Sequence, residues 1–277
     1  MKNSILLWIL AFIITLASAV YQRLTGPTYP MRGTVQINGE VIDYNLLRSH
    51  GGETDCQISL SVPDSSYHAQ LYWKRYKTDD EWTVTHMSYE QGELTGTLPN
   101  QPPAGKLEYF VQLSFNNTTE TLPGEENIVI RFKGDVPMYI LIPHIITMFG
   151  AMLLSARTGL EFFRKKGNVK KLTYWTIGLI LVGGFILGPA VQLYAFGAWW
   201  TGFPFGTDLT DNKTLIALIA WLVAVFMYKR TKKSAAWALG ASIITLIIFL
   251  IPHSMFGSEL DYSKHDINTK VELDLGD

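Results

Sequence analysis

The chain has 277 residues, a formal net charge of −1, 17% charged residues and 48% hydrophobic ones. A soluble domain carries about 25% charged residues and a nucleic-acid binder shows a basic excess, so the composition points away from both, and no nucleic-acid partner is expected. The single cysteine, Cys56, excludes a disulfide framework within the chain.

The first element is an uncharged apolar run over residues 4–20, preceded by Lys2 and ending in Ala17-Ser18-Ala19. Residues 1–22 read as a transmembrane anchor or as a signal peptide with a small-residue cleavage site; the uncleaved anchor is the preferred reading, and in both cases the next segment of the chain is exported. Residues 30–135 are polar, alternating and rich in turn residues. Val35, Ile37 and Val41 flank Asn38-Gly39, a pair that tolerates the positive φ of a two-residue hairpin turn. Further strands are predicted at 56–62, 68–76, 82–87, 93–98, 106–114 and 127–132. Cys56 opens an alternating run with Ile58 and Leu60 and is expected in the core. His50, His68 and His86 are scattered without metal-ligand spacing. Strands at this interval make a β-sandwich.

Two stretches carry a resemblance. Leu71-Tyr72-Trp73-Lys74-Arg75-Tyr76 followed by Trp82-Thr83-Val84, and Gly96-Thr97-Leu98-Pro99 leading to Gly105-Lys106-Leu107-Glu108-Tyr109-Phe110-Val111, resemble immunoglobulin-like or fibronectin-III-like bacterial modules over about 100 residues. The resemblance implies that Tyr109 ties down the corner preceding its strand. It implies no ligand, because that architecture hosts many functions. The whole chain is similar to bacterial multi-pass membrane proteins to which no activity attaches. In a bacterial protein the overlapping sequons of Asn116-Asn117-Thr118-Thr119 are chance matches.

The composition breaks at Gly134-Asp135-Val136-Pro137, and residues 137–252 are mostly apolar. Four spans are predicted at 138–156, 172–196, 214–228 and 234–251, none with Asp, Glu, Lys or Arg in its interior; about 20 residues cross the hydrocarbon of a bilayer. The third of the four is short, with Lys213 and Lys229 able to snorkel at its ends. Gly184 and Gly188 form a GxxxG step for close helix packing, and Pro189 is expected to kink its span. The loop after the first of these spans holds Arg157, Arg164, Lys165, Lys166, Lys170 and Lys171 against Glu161; the loop after the third holds Lys229, Arg230, Lys232 and Lys233. Both loops fall on one side, which the positive-inside rule makes cytoplasmic. The sandwich and the acidic tail, 253–277, are then extracytoplasmic.

Polar groups in or beside apolar spans are the default functional candidates. His144 and His253 each follow a proline in an Ile-Pro-His triplet on different spans, the minimum for a b-type haem or a metal, with Gln192 as a hydrogen-bonding neighbour. Between two spans, the loop from Phe196 to Lys213 concentrates Trp199, Trp200, Phe203 and Phe205 with Asp208 and Asp211. The aromatics fit an interfacial belt, and Thr210 or Asp211 fits an N-cap of the following helix. Alternatively Asp208, Asp211 and His253 share a divalent-metal site. No phosphate loop, nucleophile elbow, metalloprotease motif or CxxC is present.

The expectation is therefore an α+β membrane protein: an N-terminal anchor or signal helix, an all-β Ig-like sandwich outside, a four-helix transmembrane bundle and an acidic tail. The expected role is a non-enzymatic subunit of a bacterial inner membrane, whose sandwich contacts a protein partner or an envelope component. The alternative is a redox protein with haem or metal held by His144 and His253.

Overall fold

A computed structural model describes residues 2–164, 167–252, 255, 257 and 259–264. The chain divides into two compact units, one made of Met1–Pro27 and Val136–Ser258, the other of Thr28–Asp135 and Glu259–Asp277.

The second unit is all-β in its first segment. Its strands are β1 (Met31–Ile37), β2 (Glu40–Leu46), β3 (Ser49–Gly51), β4 (Cys56–Ser61), β5 (Tyr67–Arg75), β6 (Thr83–His86), β7 (Ser88–Glu90), β8 (Glu93–Leu98), β9 (Lys106–Phe115), β10 (Thr118–Leu122) and β11 (Ile128–Lys133). β1 and β2 form a hairpin whose turn is Asn38-Gly39, both at positive φ, with Ile37 opposite Glu40. A three-stranded sheet runs β4-β8-β7, and a larger one runs β3-β11-β9-β5-β6 with β10 also paired to β9. All pairings are antiparallel except β11 with β3.

The two sheets are sandwich-like because period-two alternation gives each an apolar face. Cys56, Ile58 and Leu60 of β4 are buried with Leu94 and Leu98 of β8. From the larger sheet come Leu71 of β5 and Leu107, Tyr109, Val111 and Leu113 of β9, all in one core. Cys56 lies in that core as expected, and burial pushes its thiol up to about 11. Three short strands were not expected. β10 pairs back on β9 through Asn116-Asn117, with Asn116 at φ 52, so the sequon stretch is a hairpin turn. Tyr109 also departs from expectation. Its buried hydroxyl donates to the Leu47 carbonyl at 2.7 Å, so it ties the segment between β2 and β3 rather than the corner before its own strand.

The first unit is helical: α1 (Lys2–Thr25), α2 (Met138–Leu160), α3 (Val169–Ile180), α4 (Gly188–Phe196), α5 (Leu209–Arg230) and α6 (Ser234–Leu250). Ser4–Thr25, Met138–Phe163, Val169–Phe196 and Leu209–Arg230 are each long and apolar enough to cross a membrane; α6 is a shorter apolar helix of 17 residues. Between α3 and α4 the chain is π-helical over Leu181–Leu187, where the Gly188 N–H reaches back to the Gly183 carbonyl. Pro189 has no N–H to give, and the wider turn absorbs that missing donor. The irregularity ahead of Pro189 is a π segment.

Close packing centres on Gly183 and Gly184. A Cβ on Gly183 would lie 2.7 Å from Thr147 Oγ1 of α2, and one on Gly184 would overlap Thr214 Cγ2 of α5. Trp221 of α5 is fully buried among small residues of α5 and α6, and its indole donates to Thr245 Oγ1 at 3.0 Å. The outward faces are apolar: Ile5, Leu6, Ile146, Ile186, Phe226 and Ile247 are all exposed.

Candidate functional site

Helix α5 begins earlier than its apolar run. Asp208 is its N-cap, accepting from Thr210 N–H at 2.7 Å, while the Asp208 N–H donates to the Thr201 carbonyl at 2.9 Å. The cap is therefore neither Thr210 nor Asp211. The polar first turn Thr210-Asp211-Asn212-Lys213 is already helical, which moves the start of the helix back from Leu215.

Asp211 stands at the third position of the helix and pins the preceding loop. Its Oδ2 accepts from the backbone N–H of Thr201 at 2.7 Å and of Gly202 at 3.0 Å, with the Thr201 hydroxyl at 3.4 Å. Gln192 of α4 donates to that hydroxyl at 2.6 Å, and the Phe203 N–H donates to Asn212 Oδ1 at 2.8 Å. Trp200 lies against Phe185 with ring centroids 5.5 Å apart and donates to the Phe203 carbonyl. Trp199 is exposed. The structure thus brings Gln192, Thr201 and Asp211 into one buried network, sets Asp208 at the helix cap and leaves Trp199 facing outward. A carboxylate oxygen shared by two backbone donors is a loop clamp with charge-assisted hydrogen bonds.

Lys213 was read as able to snorkel at the end of its span. Instead it is 2% exposed, and its Nζ donates to the Ile251 and Pro252 carbonyls at 2.8 and 3.1 Å. Gln22 of α1 donates to Phe249 and Ile251 carbonyls at 2.8 and 3.1 Å. The end of α6 leaves carbonyls without helical donors, and these two side chains supply them.

His144 donates from Nδ1 to the Gly183 carbonyl at 2.9 Å. A carbonyl can only accept, so this contact places a proton on Nδ1. His253 lies outside the described residues. Among the described residues no group of three or more His, Cys, Asp and Glu side chains is placed to hold a metal ion.

One cluster was missed altogether. Arg157 near the end of α2 and Glu161 in the 3-10 turn Glu161–Phe163 are 2% and 1% exposed and pair at 2.5 Å, with Arg164 at 2.9 Å from the same Glu161 oxygen. Arg157 lies over the Trp8 ring of α1 at 5.3 Å. The sequence signal was there, an arginine four residues before a glutamate at the end of an apolar run, but reading Arg157 as a loop charge concealed it.

On the β unit, the outward face of β9-β5-β6 carries a second unforeseen cluster. Tyr72 and Phe110 stack at 4.7 Å and 6°, Trp82 meets Phe110 edge-on at 5.0 Å, and Lys74 Nζ is 5.0 Å from the Trp82 ring centre. Val84, paired with Tyr72, is 43% exposed.

A scan against protein-family models gives no match for this sequence, and a search of the curated proteins gives none at a significant level.

Proposed function

We propose that the chain is a multi-pass protein of the bacterial inner membrane whose β unit, an Ig-like sandwich held outside the cytoplasm, contacts a partner protein without catalysis. The exposed apolar side chains on the helices support the bilayer setting, since a soluble monomer rarely exposes such contiguous surface. Arg164, Lys165, Lys166, Lys170 and Lys171 after α2, and Lys229, Arg230, Lys232 and Lys233 at the end of α5 and beyond it, support the orientation, Arg157 being buried on Glu161. So does parity. Residues 259–262 belong to the β unit, so the chain between Asp135 and Glu259 must cross an even number of times. The segments Met138–Phe163, Val169–Phe196, Leu209–Arg230 and α6 make four. Strand order supports the Ig-like reading: β4-β8-β7 faces β10-β9-β5-β6, and β3 runs parallel to β11.

The observation that carries the contact role is the aromatic face of Tyr72, Phe110 and Trp82 with exposed Val84. Aromatic side chains on a solvent-facing sheet are the composition of interface centres. A photo-cross-linking amino acid at Val84, compared with one at the more exposed Val41 of β2, 64% exposed, tests it in intact cells. A discrete adduct at Val84 alone, lost with Phe110→Ala, is the expected result. Identical patterns at both positions, or a protein that migrates alone and turns over a substrate alone, would overturn the reading.

A further inference from the structure

The β unit contains a segment that arrives from far along the chain. Residues 259–262, Glu259-Leu260-Asp261-Tyr262, lie against the strand ends of β5 and β9. The Leu260 N–H donates to the Ala104 carbonyl at 3.1 Å. The Glu259 carboxylate bridges Lys77 at 2.8 Å and Lys106 at 2.6 Å. Tyr262 is buried. Its hydroxyl accepts from the Lys106 N–H at 2.9 Å and lies within donating distance of the Lys106 carbonyl at 2.9 Å and of Gln101 Oε1 at 3.1 Å. The Arg75 guanidinium stands 5.1 Å from its ring centre.

The receiving surface is ordered by contacts of its own. Arg75 is held by Asp80 through two hydrogen bonds of 2.6 and 3.0 Å. The Lys106 carbonyl also accepts the Tyr76 N–H at 3.0 Å, and Ala104, at φ 68, is fixed by its N–H to the Phe132 carbonyl at 3.1 Å. None of these bonds involves residues 259–262. Beside the segment a cleft of about 500 Å³ remains, bounded by Arg75, Lys77, Lys106 and Tyr262 among others.

We infer that this surface is a recognition groove for acidic peptides of the form Glu-x-x-Tyr, occupied in cis by residues 259–262. The chemistry is specific at both ends. Two lysines select a carboxylate, and a guanidinium over a ring together with a backbone N–H and C=O pair selects a phenol. Spacing is set by the Leu260 backbone hydrogen bond, with Tyr262 opening a short helical turn at residues 262–264. A partner bearing the same pattern would displace the strap and take its place. The groove lies on other residues than the aromatic face of Tyr72, Phe110 and Trp82, and the inference stands or falls independently of the contact role proposed for that face.

The test uses the chain purified in mild detergent and a fluorescent peptide of sequence Gly-Ser-Glu-Leu-Asp-Tyr-Ser-Lys, residues 257–264, followed by anisotropy. A tethered segment competes at an effective concentration of order millimolar. A chain ending at Ser258 should therefore bind the peptide at least about 100-fold more tightly than the intact chain. Lys106→Glu in the shortened chain should abolish binding, and a peptide with Lys in place of Glu259 should restore it. Should the shortened chain fail to fold, the full-length Glu259→Lys, Tyr262→Ala variant opens the same groove and is expected to bind the unmodified peptide. Equal binding by opened and intact chains, no binding by either opened protein, or failure of the charge swap would overturn the inference.

Discussion

The two units distribute polarity in opposite ways. The β unit has an apolar interior that also takes in Tyr67 and Tyr109, and apart from buried Arg131 its charges lie mostly towards solvent, as in the Arg75–Asp80 pair. The helical unit has apolar outer faces and a polar interior: Arg157 with Glu161, Asp211 with the Thr201 and Gly202 amides, Lys213 on the end of α6, and Trp221 on Thr245. The difference teaches what each was built against. Water rewards an apolar core. Lipid does not, so packing and interior hydrogen bonds must specify the arrangement of helices.

If that contrast is right, breaking the interior of the helical unit should cost most. Arg157→Ala leaves buried Glu161 with Arg164 as its remaining ion-pair partner, for which a loss of up to about 3–5 kcal/mol is expected. The double change Arg157→Met with Glu161→Leu should recover most of it. Thermal unfolding in detergent measures both, and equal losses for the single and double variants would show that the two charges are not coupled.

The loop comes next. Asp211→Ala removes the acceptor of two backbone N–H groups and should cost roughly 2 kcal/mol. Asp208→Ala loses one cap, at about 1 kcal/mol, and Asp208→Asn should be nearly silent because Asn caps as well as Asp. Protease sensitivity of the loop before α5 gives the ranking, and a more damaging Asp208→Asn would reverse the assignment of cap and clamp.

On the β side, Tyr109→Phe keeps the ring and deletes only the bond to Leu47, so about 1 kcal/mol is expected from thermal unfolding. The smallest effect is acid release of the strap. Burial would raise the Glu259 carboxyl, but hydrogen bonds from Lys106 and Lys77 outweigh it and hold it below the ordinary value of 4.5. A depressed carboxyl stabilises above its unfolded pKa, and that stability is lost as pH falls through the folded one. Asp80 and Asp261, also held low, by Arg75 and by Ser263 with Lys264 respectively, titrate in the same acid range. Hydrogen exchange at the Leu260 amide should therefore quicken below pH 4.5 relative to a base-corrected control amide in β9. No change would show that the bridge to the lysines does not hold the strap.

Much of the β unit was legible because alternation with one buried face leaves little freedom: residues 56–61 and 106–113 could be placed from pattern alone, and Asn38-Gly39 announced its turn. The strands of three to five residues were not legible, since β3, β7 and β10 are held by neighbours rather than by a pattern of their own. In the helical unit the apolar runs were plain, but their ends were misread. Polar residues there were assigned to water by type, whereas Arg157 and Lys213 are buried on partners four or 38 residues away. Asp208 rather than Thr210 or Asp211 is the cap because the helix starts with its polar turn, ahead of the apolar run used to find it. The strap was invisible because its partners lie more than 150 residues away and share no periodicity with it.

Labelling of engineered cysteines by a membrane-impermeant maleimide in intact cells tests the central claim most directly. Cys56 is buried, with its thiol pushed up to about 11, and supplies a silent background. Exposed Glu125 of the β unit, Ser263 next to the strap and Asn168 of the first basic loop are the three positions. The account predicts labelling of Glu125→Cys and Ser263→Cys in intact cells, and of Asn168→Cys only after the cells are opened. Labelling of Asn168→Cys in intact cells, or protection of Ser263→Cys while Glu125→Cys reacts, would contradict it.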